Sequence, residues 1–422
     1  MAHSLTSTDI HALVNALVKE ATGQEATLQQ VDTSDFVSVG ETLLATGTEN
    51  VLNALSLVLG RTFMAVRPYN AKFNLINSIN TDAYSHRMRK VSFYSKDAVP
   101  SGDYNTQLFT NLADGFTNGQ NPAGTPPVAQ STKSMWEQHQ AMPVEFNFSG
   151  SSVWEDSITI YEDQLKQAFR SEADFGEFVA GIMTEKGNDI ESQKEAFNRM
   201  TILNHMAGLV DLNQTGSVVN LTAAYNAEFN PSPTLTTAEL LTTHLTDFMK
   251  FFTAKLKIDS RALTHRSALR HWSVPKTVGA DTYHILRHTP ADRQKLFLYN
   301  PFMMKAQSYV FPEIFNPQYL SIDNYEGVDF WQNEANGSAI DIIPAIPDTS
   351  DPSVQTVGAE VKLNMVVGLL FDEDAMMVDY QLERSAVTPL EARKNYRNMW
   401  WSYSKNAIND FTENAIIYYM AD

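Results

Sequence analysis

Apolar residues along this chain change their spacing several times, and each spacing predicts an element. Ile10, Leu13, Val14 and Leu17 recur at i, i+3, i+4, i+7, while Val51, Leu55, Val58 and Leu59 form a second stripe between a Thr48 N-cap and the C-terminal glycine Gly60. Each stripe predicts a helix of about three turns, too short to be stable alone, so both need another surface to cover their apolar faces. Val144, Phe146 and Phe148 then alternate with Glu145, Asn147 and Ser149, the period of a half-buried strand. Residues 157–208 read as the most helical stretch. In it, Tyr161, Leu165 and Phe169 share one face, Ser171 and Asp174 make an imperfect capping signal, and Phe175, Phe178, Val179, Ile182 and Met183 continue as a stripe. An interruption is expected at Gly187 and Asn188, before a narrower stripe of Ile190, Phe197, Met200 and Leu203.

A further helix is predicted over residues 237–254, opened by the capping box of Thr236 and Glu239 and buried through Leu241, Leu245, Phe248, Met249 and Phe252. Lys295 to Tyr299 reads as a strand, and Pro301 opens a short helix that runs to Val310. Prolines and glycines over residues 311–360 predict short strands joined by irregular loops. Strands are expected at Lys362 to Leu370, Met376 to Leu382, Met399 to Tyr403 and Asn414 to Tyr419, so the C-terminal region is built into a sheet. Trp400 and Trp401, adjacent in one of these strands, should face opposite ways.

One long stretch has almost no apolar period. Between about residues 84 and 142, Arg87, Arg89 and Lys90 are followed by Pro100 to Asp103 and by Gly115, Gly119, Pro122, Gly124, Pro126 and Pro127. A segment this long without periodic apolar residues is not a core of its own, and its return through the strand near Phe146 gives a hairpin-like excursion from the body. Taken together, mixed helix and sheet make the chain α+β.

Composition narrows the classes. At 422 residues and 43% hydrophobic the chain can bury substantial cores, and it is not a disordered chain. The formal charge of −18 argues against a protein that grips nucleic acid through its phosphates, although passive enclosure of nucleic acid remains compatible with it. Without cysteine there are no disulfides or thiolate metal sites. The N-terminus has no secretory pattern, and no run approaches the roughly 18 apolar residues of a membrane span, so the chain reads as soluble and cytoplasmically made.

Catalytic signatures are missing: no phosphate-loop, dinucleotide-loop, nucleophile-elbow or zincin string occurs. His284 and His288 could share a helical face with Asp292 nearby, but Thr282, Tyr283, Ile285 and Leu286 suit a strand at least as well and Pro290 opposes a continuous helix, so ordinary histidines are expected; His265 and His271 read the same way. The acidic run Asp372, Glu373, Asp374 lacks calcium-loop spacing and reads as a solvated turn. Glu155, Glu162 and Asp163 read as a solvated face. No catalytic, cofactor-binding or metal-binding residue is assigned. Arg87, Arg89 and Lys90 form the one compact basic group of interest, and pairing with acidic residues of a neighbouring subunit is favoured over phosphate binding.

The order of these elements, and above all the block Val366 to Met376 followed by Thr388 to Arg393 and Asn395 to Trp401, resembles the major capsid proteins of tailed bacteriophages. The resemblance implies the Hong Kong 97 phage-like fold. Carried onto this sequence it gives an N-terminal arm over 1–60, the start of a peripheral domain over 61–83, an extended loop over 84–150, and the peripheral domain over 151–259 with its spine helix within 172–208. An axial domain with adjoining peripheral segments follows over 260–365, and peripheral-domain strands over 366–422. It further implies a non-enzymatic subunit that assembles into hexamers and pentamers of an icosahedral head around double-stranded DNA. The partners implied are copies of itself, a portal protein, a possible decoration protein and, since Met1 opens a short arm, a separate scaffolding protein. Arg87, Arg89, Lys90, Trp136, Phe146 and Phe148 are the candidate contacts between subunits. The competing readings are another virion component, of tail or baseplate, and an enzyme of unfamiliar mixed fold.

Overall fold

The computed structural model describes residues 14–16, 19, 20, 73, 75–79, 88–95, 141–148, 152–169, 172–278, 281–309, 325–348, 354–391 and 393–422. Most of the expected arm and of the excursion lies outside these, including the helix expected over 51–59; of the first helix, Val14 is buried. In chain order the elements are β1 (Asn77–Ser78), β2 (Met88–Phe93), β3 (Pro143–Phe148), β4 (Ser152–Tyr161), α1 (Glu162–Ala168), α2 (Glu172–Leu212), β5 (Val218–Asn220), α3 (Leu221–Phe229), α4 (Thr237–Leu240) and α5 (Leu245–Leu263). Then come β6 (Lys276–Val278), β7 (Asp281–Tyr283), β8 (Gln294–Tyr299), α6 (Asn300–Tyr309), β9 (Tyr325–Val328), β10 (Ile340–Ile342), β11 (Ala345–Pro347), β12 (Gln355–Val357) and β13 (Val361–Leu363). The last four are β14 (Val366–Asp372), β15 (Met376–Val387), β16 (Tyr396–Asn409) and β17 (Ala415–Tyr419).

A central sheet of order β5-β17-β14-β8-β9 divides the hydrophobic core into two. Alternation along its strands does the dividing. Val366, Leu369 and Phe371 of β14, Phe297 of β8 and Ile417 of β17 face one cluster, which includes Ile202, Leu203, Met206 and Leu209 of α2. Val367, Leu370, Leu296, Leu298, Ile416 and Tyr418 face the other, with Phe248, Met249, Phe252 and Leu256 of α5 and Phe302 and Met303 of α6. Because helices cover both faces, every residue of β14 is buried, which is why it reads as a continuous apolar run. Gly368 is required there: a Cβ on it would lie 2.7 Å from the Phe297 carbonyl oxygen across the ladder.

A second sheet, of order β1-β15-β16-β4, is built from long antiparallel strands with the short β1 added in parallel. Helix α2, about 60 Å long at 1.5 Å per residue, spans both sheets. It is held to the second sheet by Lys186, which donates to Asp156 at 3.0 Å, and just past its midpoint by the Tyr380 hydroxyl, 2.6 Å from Asn198 Oδ1. Its second half packs on the central sheet. The segment before β2 is strapped down by Glu326, whose carboxylate accepts from the Phe73 and Leu75 amides, and by Lys295, which donates to Leu75 O and Asn77 Oδ1 at 2.8 Å each.

Several expectations need correction. Residues 157–161 belong to strand β4, not to a helix: Ser157 to Tyr161 pair with Tyr396 to Trp400, and Ile160 is buried. No break occurs at Gly187 and Asn188; α2 runs unbroken, because packing along both sheets and pairs such as Arg199 to Glu195 (2.8 Å, i+4) outweigh the roughly 1 kcal/mol that glycine costs a helix. Met200, expected on the buried stripe, is 52% exposed. The capping box forms at Thr236 and Glu239, but its helix stops at Leu240, and the buried stripe lies on α5, which begins at Leu245 and runs on to Leu263. Between them Thr242 turns its hydroxyl back to the Ala238 carbonyl at 2.8 Å and His244 N–H bonds the Glu239 carbonyl. The strand expected from Lys362 to Leu370 is two strands, β13 and β14, in different sheets.

Candidate assembly surfaces

Strands β2 and β3 pair antiparallel, Met88 opposite Phe148 through Phe93 opposite Pro143, and so form the root from which the excursion leaves and to which it returns. The two faces of this ladder differ. Inward, Lys90 reaches a corner between β16 and β17, bonding Asp410, Glu413 (2.5 Å) and Thr412 (3.2 Å). Arg287 completes the cluster, lying 3.3 Å from Glu413 and donating to Ser92 Oγ at 2.6 Å and to the Thr412 carbonyl at 3.2 Å. Burial pushes the Asp410 carboxyl up, but the Lys90 ammonium and two Thr412 hydrogen bonds outweigh it and hold the group below its usual range. Glu413 is raised, since burial dominates there and Lys90 only partly offsets it. Two carboxylates and two cations therefore lock the root to the body, and removing one partner would strand a buried charge.

Outward, Arg89 pairs with Glu145 at 2.6 Å in solvent, beside Val91 and Phe93, which are 47% and 58% exposed. A second group of exposed apolar side chains lies on the second sheet. Its edge strand β4 carries Val153, Trp154 and Tyr161, and the adjacent β16 carries Trp400, all exposed. Lys405 lies 4.2 Å over the Trp154 ring, and the indole N–H donates to Ser152 Oγ at 2.8 Å. A ten-residue edge strand without a neighbour on its outer side among the described residues offers backbone groups to another chain.

Of the six residues expected between subunits, Arg87 and Trp136 lie outside the described residues. Arg89 is exposed, Lys90 is engaged inside its own chain, Phe146 is 3% exposed within the core, and Phe148 packs against that core. Sequence reading missed Asp410, Glu413 and Arg287. Asp410 and Thr412 carry a local signal, a carboxylate accepting from the amide and hydroxyl two residues on, but nothing local joins them to Lys90, 320 residues earlier.

Of the remaining candidates, Asp372 departs from the solvated turn expected of it, being only 3% exposed. Asp372 is buried at the end of β14, which raises its pKa, while Glu373 bonds Arg293 at 2.6 Å and Asp374 pairs with the same guanidinium. His284 follows strand β7 and its ring lies 3.0 Å from Ser273 Oγ. His271 is fully buried, bonded to the Ile285 and Leu269 carbonyls and to Asn414. Trp401 is 1% exposed and Trp400 37%, on opposite faces. Among the described residues no cluster of three or more histidines or carboxylates has metal-binding geometry, and no helix is long and apolar enough to cross a membrane.

No family model matches the chain, and no curated protein matches it. Solved structures do. The capsid structure of Staphylococcus phage Andhra is 9% identical over 84% of this chain and 85% of that chain, with a TM-score of 0.52. A structure of the head fibre and inner core protein of native bacteriophage P68 is 12% identical over 84% and 89%, with a TM-score of 0.49. The mature capsid of bacteriophage PhiM1 is 8% identical over 84% and 88%, with a TM-score of 0.38. The likeness to the Andhra capsid structure carries the fold: the chain is α+β with the Hong Kong 97 phage-like arrangement expected from its element order.

Proposed function

We propose that the chain is the structural subunit of a tailed-phage head, a major capsid protein whose copies form hexamers and pentamers that close into an icosahedral shell around double-stranded DNA. The observation that carries this reading is the fold shared with a phage capsid structure across 84% of the chain. The rest of the molecule suits the task. A body in which one helix ties two sheets together can tilt as a unit, and a long loop leaving from the β2–β3 root has the length to reach a neighbour. Closed lattices let modest contacts add up, because every copy makes many.

In this reading residues 1–60 are the arm and 84–150 the extended loop; 61–83, 151–259 and 366–422 build the peripheral domain with its spine in α2, and 260–365 contribute the axial domain. Arg89, with Val91 and Phe93 beside it, is the part of the expected contact set left accessible at the root. Copies of the chain are the principal partner; a separate scaffolding protein, a portal and, as an optional addition, decorating subunits complete the head, which is assembled in the host cytoplasm. The chain performs no catalysis, and DNA is enclosed without sequence-specific contact, in keeping with the net charge of −18.

Negative-stain imaging of the full chain, expressed with and without its scaffolding partner, tests the proposal. Closed shells are expected with the partner. Monomers at high concentration under both conditions overturn it, and tubes or open rings move the protein to a tail.

A further inference from the structure

His205 stands in the half of α2 that packs on the central sheet, with 0% of its surface exposed, and neither ring nitrogen has a hydrogen-bond partner among the described residues. Buried imidazoles are normally bonded, as His271 is in this same chain. Instead the His205 ring lies flat against Phe411, with centroids 4.9 Å apart and planes 4° from parallel. Phe411 comes this close because the residue one turn along α2 is Gly208, where a Cβ would sit 2.4 Å from the Phe411 ring. Phe411 in turn belongs to the corner whose Asp410 and Glu413 hold Lys90. One ring stack therefore connects the long helix to the corner, and the corner to the root of the excursion.

A neutral imidazole can serve as a flat, nearly apolar plate against a phenyl ring. An imidazolium cannot rest there: its two N–H groups lie in the ring plane, and both are buried with no acceptor among the described residues. We propose that the His205–Phe411 stack is an acid-released catch between α2 and the β16–β17 corner, and that its release loosens the β2–β3 root through Lys90.

The surrounding charges leave the catch closed at neutral pH. Burial pushes His205 down to about 4, with the Asp410 carboxylate opposing only in part. That carboxylate is already paired with Lys90, and Glu413 beyond it with Lys90 and Arg287. On α2 itself Arg199 is paired with Glu195, and Asp211 accepts from the Ala359 amide. Strand β11 brings no titratable side chain, β10 brings Asp341, paired with Lys362, and β15 brings the buried Asp379. Asp410, Glu413, Glu195, Asp211 and Asp341 are each already engaged by another group, and among the described residues none of them bonds the imidazole. The inference concerns the folded chain itself and does not depend on whether copies assemble.

Hydrogen exchange read by mass spectrometry on the purified full chain, at pH 7 and pH 4 and corrected for intrinsic rates, tests it. In the wild type, peptides covering 88–93 and 405–414 should lose protection at least tenfold on acidification, while those covering 294–299 and 366–372 hold. In H205F, which keeps a flat ring but removes the titrating group, the root and corner should stay protected at pH 4; H205L serves if H205F does not fold. Unchanged protection in the wild type overturns the proposal. So does equal loosening in the variants, an outcome that would transfer the acid response to Glu413 or its neighbours.

Discussion

The central sheet and the second sheet are made partly from the same C-terminal segment, yet they are finished differently. Every residue of β14 is buried between two helical layers, whereas β4 exposes most of its length and carries Val153, Trp154 and Tyr161 into solvent. Burying apolar area contributes about 25 cal/mol per Å², so β14 contributes strongly to stability while the edge strand β4 contributes mainly a surface. Under the proposed function, the contrast separates folding from assembly within one chain: the same kind of substitution should unfold the protein in β14 and leave it intact in β4.

The strongest break in that comparison is Phe371→Ala. Its ring stacks on Phe297, with centroids 5.2 Å apart, in the core shared with α2. A loss of about 3–5 kcal/mol is expected in urea unfolding, enough to deplete the folded state. Next comes Lys90→Met, which leaves Asp410 a buried carboxylate without its main partner; about 3 kcal/mol should be lost, and the loss should shrink in Lys90→Met with Asp410→Asn. Acid sharpens the contrast further. Because the folded chain holds His205 neutral down to about 4 while an unfolded histidine accepts a proton near 6.5, stability is complete above pH 6.5 and falls as the pH drops toward 4. At about 1.4 kcal/mol per pH unit this amounts to about 3 kcal/mol, which should be missing from the pH profile of H205F. The smallest effect is Val153→Ser on β4. The free energy of urea unfolding should change by no more than about 0.5 kcal/mol, while the concentration needed for the proposed assembly rises; a large loss of stability would mean that this face is covered within the chain.

Where the pattern was strong and uniform, the elements were legible from residues alone. The apolar run at Val366 to Phe371, the closing strand near Ile416, the capping box at Thr236 and the opposed tryptophans at 400 and 401 all stand where periodicity and local chemistry put them. Errors arose where distant packing decided. Residues 157–161 lead into the helical stripe of Tyr161, Leu165 and Phe169, but pairing with β16, more than 230 residues later, makes them a strand. Gly187 looks like a break only until α2 is seen to be supported along both sheets. The basic group at Arg89 and Lys90 was visible, but its division into an exposed pair with Glu145 and a buried one with Asp410 depends on a corner that no local signal connects to it. His205 gave no sign at all, since an orphaned imidazole is defined by what surrounds it.

The order of strands also has a consequence during synthesis. Of the strands flanked on both sides in the two large sheets, all except β8 lie between residues 366 and 419. A nascent chain that has emerged only as far as α6 holds β1, β4, β5 and β8 but none of the strands they pair with, so neither sheet can close until the ribosome has released these residues. Half-made polypeptides on one polysome therefore lack the finished platform on which β4 is displayed, and translation itself delays their premature association.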